Sequence, residues 1–435
     1  MRVMYKRCAG LDVHKKTVTA CRRDGKEQEV KTFGTTTPDL LELVDWLLEW
    51  ECSHVAMEST GDYWKPVYNL LEGSFQVLLV NAKHVKHVPG RKTDVGDAQW
   101  LAELLQHGLL KASFIPPAPQ RDLRDLTRYR TKQVQERARE VKRVQKVLET
   151  ANIKLSCVAT DILGVSGRAM LEAIVDGQAD PETMAELAKG RMRSKLPELE
   201  KALTGIVRDH HRFLLAKQLA HIDFLDEHIA SISVEIERRI HEMSQPRQPQ
   251  EPSPSDSETQ SETPTETPEP PSFEEAVELL DTVPGVDKLT AEVIVAELGT
   301  DMSRFRTAKH AGAWAGLSPG NNESGGKRRS GRTRKGNRAL RSGLLQAAWA
   351  ASHTKNTYLS AQYHRLAGRR GKKRAIVAVA HSILVMSYHI LKRQQPYQEL
   401  GGNYFDERKK ESILHGLVKR ISKLGYEVSL EPVAA

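Results

Sequence analysis

Cysteine is scarce: four residues in 435. Cys8, Cys21, Cys52 and Cys157 show no Cys-x-x-Cys pair and no zinc spacing, which excludes a disulfide scaffold and a zinc site and leaves free buried thiols in a reducing cytoplasm. Long apolar runs are also missing. None approaches the roughly 20 residues of a membrane span, and Arg2, Lys6 and Arg7 lead into a short strand-like run, not the apolar core of a secretory signal. Residues 244–272 lack apolar side chains almost entirely. They are Pro, Ser, Thr, Glu and Gln, with six acids and one base, and are expected to be a disordered linker. Acids are absent elsewhere: between Lys327 and Arg341 there are eight bases and none.

What is present divides the chain. The formal charge is +9; setting aside the net −5 of 244–272 leaves +14, concentrated towards the C-terminus, which favours a polyanionic partner. Residues 1–115 alternate strand and helix signals: strands at Cys8–Val13, Thr17–Arg22, Glu29–Phe33, Val55–Glu58 and Gln76–Val80, helices at Pro38–Trp50 and Lys65–Leu71. That is an α/β pattern. Residues 116–243 read as helical, with long helices near 120–150 and 206–243 and heptad-like apolar positions that predict a coiled-coil hairpin and dimerisation. A C-terminal domain over 273–400 opens with two helices around Val283-Pro284-Gly285-Val286, a helix-hairpin-helix pattern whose second N-terminus can hold a phosphate; 401–435 is a tail.

Acids interrupt the N-terminal apolar pattern at chosen places. Asp12 sits inside Ala9-Gly10-Leu11-Asp12-Val13-His14, and Glu58 ends Val55-Ala56-Met57. A buried charge costs several kcal/mol unless it is paired or metal-bound. Thr93 reads as an N-cap, so Asp94 and Asp97 are expected on one helix face, three residues apart. Four converging carboxylates offer hard oxygen ligands for Mg²⁺, or Mn²⁺, in phosphoryl transfer.

The second constellation is Gly316-Leu317-Ser318-Pro319-Gly320-Asn321-Asn322-Glu323-Ser324-Gly325-Gly326, read as an open, mobile loop, followed by Lys327, Arg328, Arg329, Arg332, Arg334, Lys335, Arg338 and Arg341. A further basic block holds Arg365, Arg369, Arg370, Lys372, Lys373 and Arg374. Such patches neutralise nucleic-acid phosphates. Ser318, Ser324 and Ser330 all remain candidates for a nucleophile on the residue pattern alone.

The motifs Gly10-Leu11-Asp12-Val13-His14-Lys15, Met57-Glu58-Ser59-Thr60-Gly61 and Lys92-Thr93-Asp94-Val95-Gly96-Asp97, with the Ser324-Gly325-Gly326 basic loop, resemble those of the DEDD insertion-sequence transposases, also called bridge-RNA-guided serine recombinases. The resemblance implies a RuvC-like (RNase H-fold) N-terminal domain, a coiled coil and a C-terminal transposase domain. It implies that Asp12, Glu58, Asp94 and Asp97 form a catalytic, Mg²⁺-binding tetrad, and that Ser324 is the nucleophile. It further implies donor and target DNA as substrates, a structured non-coding bridge RNA as guide, and a dimer that assembles into a tetramer with the two domains meeting across protomers. The 244–272 insert is longer and richer in Pro and Glu than the usual join. Two other readings fit the residues: a RuvC-like structure-specific nuclease using water, and a non-catalytic nucleic-acid scaffold.

Overall fold

The computed structural model describes residues 2–59, 61–81, 96–178, 180–245, 269–320, 322–333 and 335–430; for 322–324, 328 and 329 it describes the backbone. Asp94, Arg334 and residues 246–268 of the expected linker lie outside the described residues. The chain forms two compact units, Met1–Pro116 and Pro117–Ala435.

The first unit is built on a five-stranded mixed sheet in the order β3-β2-β1-β4-β5. β1 (Arg7–Val13), β2 (Thr17–Asp24) and β3 (Glu27–Gly34) form an antiparallel meander. β4 (His54–Glu58) and β5 (Gln76–Val80) add in parallel. Strand alternation sorts the side chains. Ala9, Leu11, Val13, Val55 and Met57 share one core with Leu40, Leu43 and Leu47 of α1 (Thr37–Leu48) and Val67 and Leu71 of α2 (Trp64–Leu71). The opposite face carries Cys8, Gly10, Cys21 and Ala56, against α3 (Asp97–Gln106). A mixed sheet led by a meander, with helices on both faces, fits an RNase H-like α/β domain.

Gly10 sets the spacing of α3 on the sheet. A methyl group there would lie 2.3 Å from the Ala98 carbonyl oxygen and 2.4 Å from the Ala102 nitrogen. Both obstacles are backbone. Gly10→Ala is therefore expected to cost about 1–3 kcal/mol, read as faster hydrogen exchange of the β1 amides; unchanged protection of β1 would show that α3 sits loosely.

Among its described residues, the second unit is helical apart from one small hairpin. α4 (Ala118–Thr150) and α7 (Asp209–Ser244) pack antiparallel: Arg137 pairs with Asp226, Arg130 with Ser233 and Glu140 with His221, so partner numbers fall as α4 numbers rise. At one end they enclose a cap that includes α5 (Val165–Val175) and α6 (Leu196–Leu203). At the other, Leu123, Ile232, Ile236 and Ile240 join the core of the C-terminal helices. The helical hairpin and the C-terminal segment thus share one core, where the sequence pattern led us to expect separate domains across a linker.

That core is formed by α8 (Phe273–Asp281), α9 (Lys288–Leu298), α10 (Ala308–Trp314), α11 (Arg338–His353), α12 (Tyr358–Arg370) and α13 (Lys372–Arg393). α13 is long and apolar enough to cross a membrane, yet Val379, Ile383, Leu384 and Leu391 are buried in the core. Gly285, in the α8–α9 turn, has φ +83° and approaches the α11 backbone, with Ala347 O and Ala351 N within 2.5 Å of where a Cβ would be. At the α9 N-terminus the Asp287 carboxylate accepts from Thr290 N at 2.9 Å, so one of the amides expected to hold phosphate already has an anion.

Candidate functional site

Three acids named from the sequence come to one end of the N-terminal sheet. In the β1–β4 pairing, Gly10 lies opposite Ala56 and Leu11 opposite Met57, where the pairing ends; Asp12 and Glu58 are the next residue of each strand. By alternation both belong to the face that carries Gly10 and Ala56, the face covered by α3. α3 runs antiparallel to β1: Gln106 O accepts from Met4 N, Cys8 Sγ donates to Ala102 O, and Gly10 abuts Ala98. Continuing along β1 to Asp12 therefore leads to the start of α3, where Asp97 is the first helical residue.

The helix begins later than expected. Gly96 is extended (φ −41°, ψ 147°) and serves as the N-cap, and the expected pairing of Asp94 with Asp97 lies outside the described residues. Asp97 occupies the first helical position, at the positive end of the helix dipole. The low helix propensity of glycine gives the physical reason for the late start.

Asp12 is partly buried, and its Oδ2 lies 3.1 Å from Nε2 of the exposed His14. His14 received no role from the sequence. The available signal was its spacing, two residues beyond an acid at a strand end. Among the described residues, no three Asp, Glu, His or Cys side chains come close enough to hold one metal ion. The chemistry of the donor set nevertheless fits a hard divalent cation: Asp12, Glu58 and Asp97 supply only oxygen.

The three cysteines nearest this sheet are buried and free, and burial pushes the Cys8 thiol up to about 12 and those of Cys21 and Cys52 up to about 11. They are poor nucleophiles at neutral pH. Cys157 is exposed, contrary to expectation.

In the second unit the expected open loop is a β-hairpin. β6 (Asn322–Ser324) pairs with β7 (Lys327–Ser330), Ser324 opposite Lys327. Gly325 and Gly326 form the turn with φ +57° and +70°, and two consecutive positive φ values match a type I′ turn, which glycine adopts without strain. Ser324 is thus the last residue before the tip. Pro319 bridges to Thr333, and Gly320 N donates to Arg332 O, so pairing extends below the hairpin, with a register shift between Asn322 and Glu323. Ser318 is drawn into the base instead: its Oγ and His381 Nε2 crowd Gly312, each about 3 Å from where a Cβ would sit.

The cations of the two helical regions differ in a way that the sequence did not show. On α4 and α7 several arginines are neutralised: Arg137 by Asp226, Arg238 and Arg239 by Glu235. Around the hairpin, Lys327, Arg332, Lys335 and Arg338 are exposed and, among the described residues, make no ion pair; Arg341 is half-buried and makes none either. The same holds for the α12–α13 corner, where Arg369, Arg370, Lys372, Lys373 and Arg374 are all exposed. Arg365 lies over the Phe405 ring at 5.4 Å. Arg328 and Arg329 lie on β7, described by backbone only. Unpaired cations leave a field that a polyanion can neutralise.

Residues 9–153 match a family described as Transposase, of the DEDD type, and residues 277–365 match the Transposase IS116/IS110/IS902 family. The pilin gene-inverting protein of Moraxella bovis is 29% identical over 132 residues, 30% of this chain and 41% of that protein. The chain thus spans less than half of that relative. A probable family 20 transposase of Pseudomonas aeruginosa is 22% identical over 396 residues, covering 89% of this chain and 94% of the relative. The transposase for insertion sequence element IS1111A of Coxiella burnetii is 34% identical over 128 residues, 28% of this chain and 35% of that protein.

Proposed function

Since the chain belongs to the IS110 family of DEDD-type transposases, we propose that it is a DNA recombinase that cuts and rejoins the ends of an insertion sequence through Ser324. The observation that supports this reading is strand register and helix direction, which put Asp12 and Glu58 on one sheet face and Asp97 at the start of the helix that covers that face. A nucleic-acid scaffold has no use for acids at one end of a sheet beside a polyanion.

Asp12, Glu58, Asp94 and Asp97 would hold Mg²⁺ or Mn²⁺. When bound, such an ion supplies charge neutralisation for the phosphoryl group in flight. The Ser324 hydroxyl attacks the DNA phosphorus, forming a phosphoserine ester as the bond to a deoxyribose oxygen breaks; the serine gives up its proton and the leaving oxygen takes one. A tight glycine turn beside Ser324 leaves room for a DNA backbone to approach. Lys327, Arg328, Arg329, Arg332, Arg334, Lys335, Arg338 and Arg341 neutralise phosphates around the hairpin, and Arg369, Arg370, Lys372, Lys373 and Arg374 do so at the α12–α13 corner. A structured RNA from the element pairs with donor and target DNA, so that base pairing reads the sequence. The α4–α7 hairpin serves as a coiled-coil dimerisation element, the dimer assembles to a tetramer, and α8–α9 acts as a helix-hairpin-helix.

The discriminating experiment traps the intermediate. Purified protein is incubated with RNA and element-end DNA, then denatured. A covalent protein–DNA adduct is expected with the wild type and not with Ser324→Ala. Strand cleavage without an adduct would replace this reading by hydrolysis with water, the RuvC-like nuclease.

A further inference from the structure

The excursion that carries Ser324 is closed at its base by one buried carboxylate. Glu297, on α9, is fully buried. Its Oε1 accepts from Arg128 Nε at 2.6 Å and its Oε2 from Arg128 Nη2 at 2.9 Å, a two-pronged pair; Arg124 Nε lies 3.4 Å from Oε2. Asn337 Nδ2 donates to the same Oε2 at 2.6 Å. Asn337 is also the N-cap of α11: its Oδ1 accepts from Leu340 N at 3.1 Å, and its own N donates to Trp314 O at 3.2 Å. One residue earlier, Gly336 presses on the backbone of Trp314, Ala315 and Gly316, with atoms 2.3–2.5 Å from where a Cβ would be. The two ends of the excursion, Gly316 and Gly336, therefore touch, and the clamp behind them runs from Asn337 through Glu297 to α4.

We propose that Asn337 is a positioning residue: its amide bond to Glu297 fixes the base of the Ser324 hairpin to α9 and α4. The proposal deepens the reading of Ser324 as nucleophile and rests on it. Capping α11 needs only the Asn337 oxygen. The –NH₂ group is spent on Glu297, and Asp or Ser would cap as well without donating there in the same way. A nucleophile on a two-residue turn has its direction set by the stem, and a misplacement of about 1 Å can cost about 100-fold in rate.

The test uses full-length protein. Asn337→Asp keeps a capping oxygen but sets a carboxylate against Glu297. It is expected to lower the strand-cleavage rate by about 10- to 100-fold, with DNA affinity unchanged, and to raise amide hydrogen exchange over 317–335. Combining it with Glu297→Gln exchanges donor and acceptor and keeps the charge of the cluster; cleavage is expected to return most of the way to wild type. Asn337→Ser, which caps but is too short to reach Glu297, should resemble Asn337→Asp in exchange and rate while the melting temperature stays put. Wild-type rates and exchange in Asn337→Ser would overturn the proposal, as would a double variant that folds yet is no faster than Asn337→Asp. If the wild type itself cuts no DNA, the recombinase reading fails, while hydrogen exchange still decides whether the clamp holds the hairpin.

Discussion

Asp12→Asn and Asp97→Asn are each expected to lower DNA strand cleavage by on the order of 10³-fold, the scale of losing one aligned electrostatic group, while the chain stays folded. Asp12 and Glu58 lie on one sheet face at one level, and Asp97 opens the helix that covers that face. Nothing in the apolar packing depends on these carboxylates; the core on the other face is made by Leu11, Val13 and Met57. Removing one of several like charges relieves repulsion, and the loss of the dipole interaction of Asp97 costs at most about 1 kcal/mol. Stability and activity should therefore separate. A second readout does not depend on cleavage: Mg²⁺ should raise the melting temperature of the wild type, since a ligand that binds only the folded state stabilises it, and this increment should vanish in Asp12→Asn. Wild-type cleavage by Asp12→Asn at any Mg²⁺ concentration would remove the metal tetrad from the mechanism.

Arg130→Ala should be among the most destabilising single changes in the second unit, by about 3–5 kcal/mol. Arg130 Nη1 lies 2.6 Å from Glu292 Oε2, with both side chains at most 3% exposed. Arg130 also reaches Leu289 O at 3.3 Å and Ser233 Oγ at 3.4 Å, so one guanidinium joins α4, α7 and α9. Burial pushes the Glu292 carboxyl above its ordinary value, and the opposing pull of Arg130 does not reverse it. A carboxyl raised on folding contributes stability below its unfolded pKa and loses it as pH rises through the folded value. Without Arg130 that rise is larger. The defect of Arg130→Ala should accordingly be greatest above neutral pH and shrink as pH falls towards 4.5, the ordinary value of the group. The pair Arg130→Met with Glu292→Leu is expected to be neutral or stabilising, because burying two ions recovers little over burying apolar groups of similar size. Hydrogen exchange of the α9 amides reports this unit by itself; a loss under 1 kcal/mol in Arg130→Ala would show that water reaches Glu292.

The strands of the first unit were readable because a sheet with both faces covered leaves a period-two imprint. Cys8–Val13, Val55–Glu58 and Gln76–Val80 were located to within a residue, and the Asp24-Gly25 turn marked the first hairpin. The start of α3 was not, because Thr93 is good capping chemistry and local propensity alone does not say that the helix waits for Asp97. Around Ser324, Gly325-Gly326 supports an open loop or a tight turn equally well; only the Pro319–Thr333 bridge and the clamp at Gly336 decide for a stem.

The residues alone determined which acids interrupt apolar strands, where the basic blocks lie and which family the motifs resemble, since these depend on identity and spacing along one segment. Tertiary structure decided what spacing cannot encode: that Asp12 and Glu58 fall on the same face, that α3 runs back along β1 to bring Asp97 to their end, and that, among the described residues, Lys327, Arg332, Lys335 and Arg338 make no ion pair while Arg137 and Arg238 on α4 and α7 do. It also joined Arg128 and Asn337 on one buried Glu297. Each of these is a pairing between distant segments. Register, helix direction and charge neutralisation arise only when such segments meet.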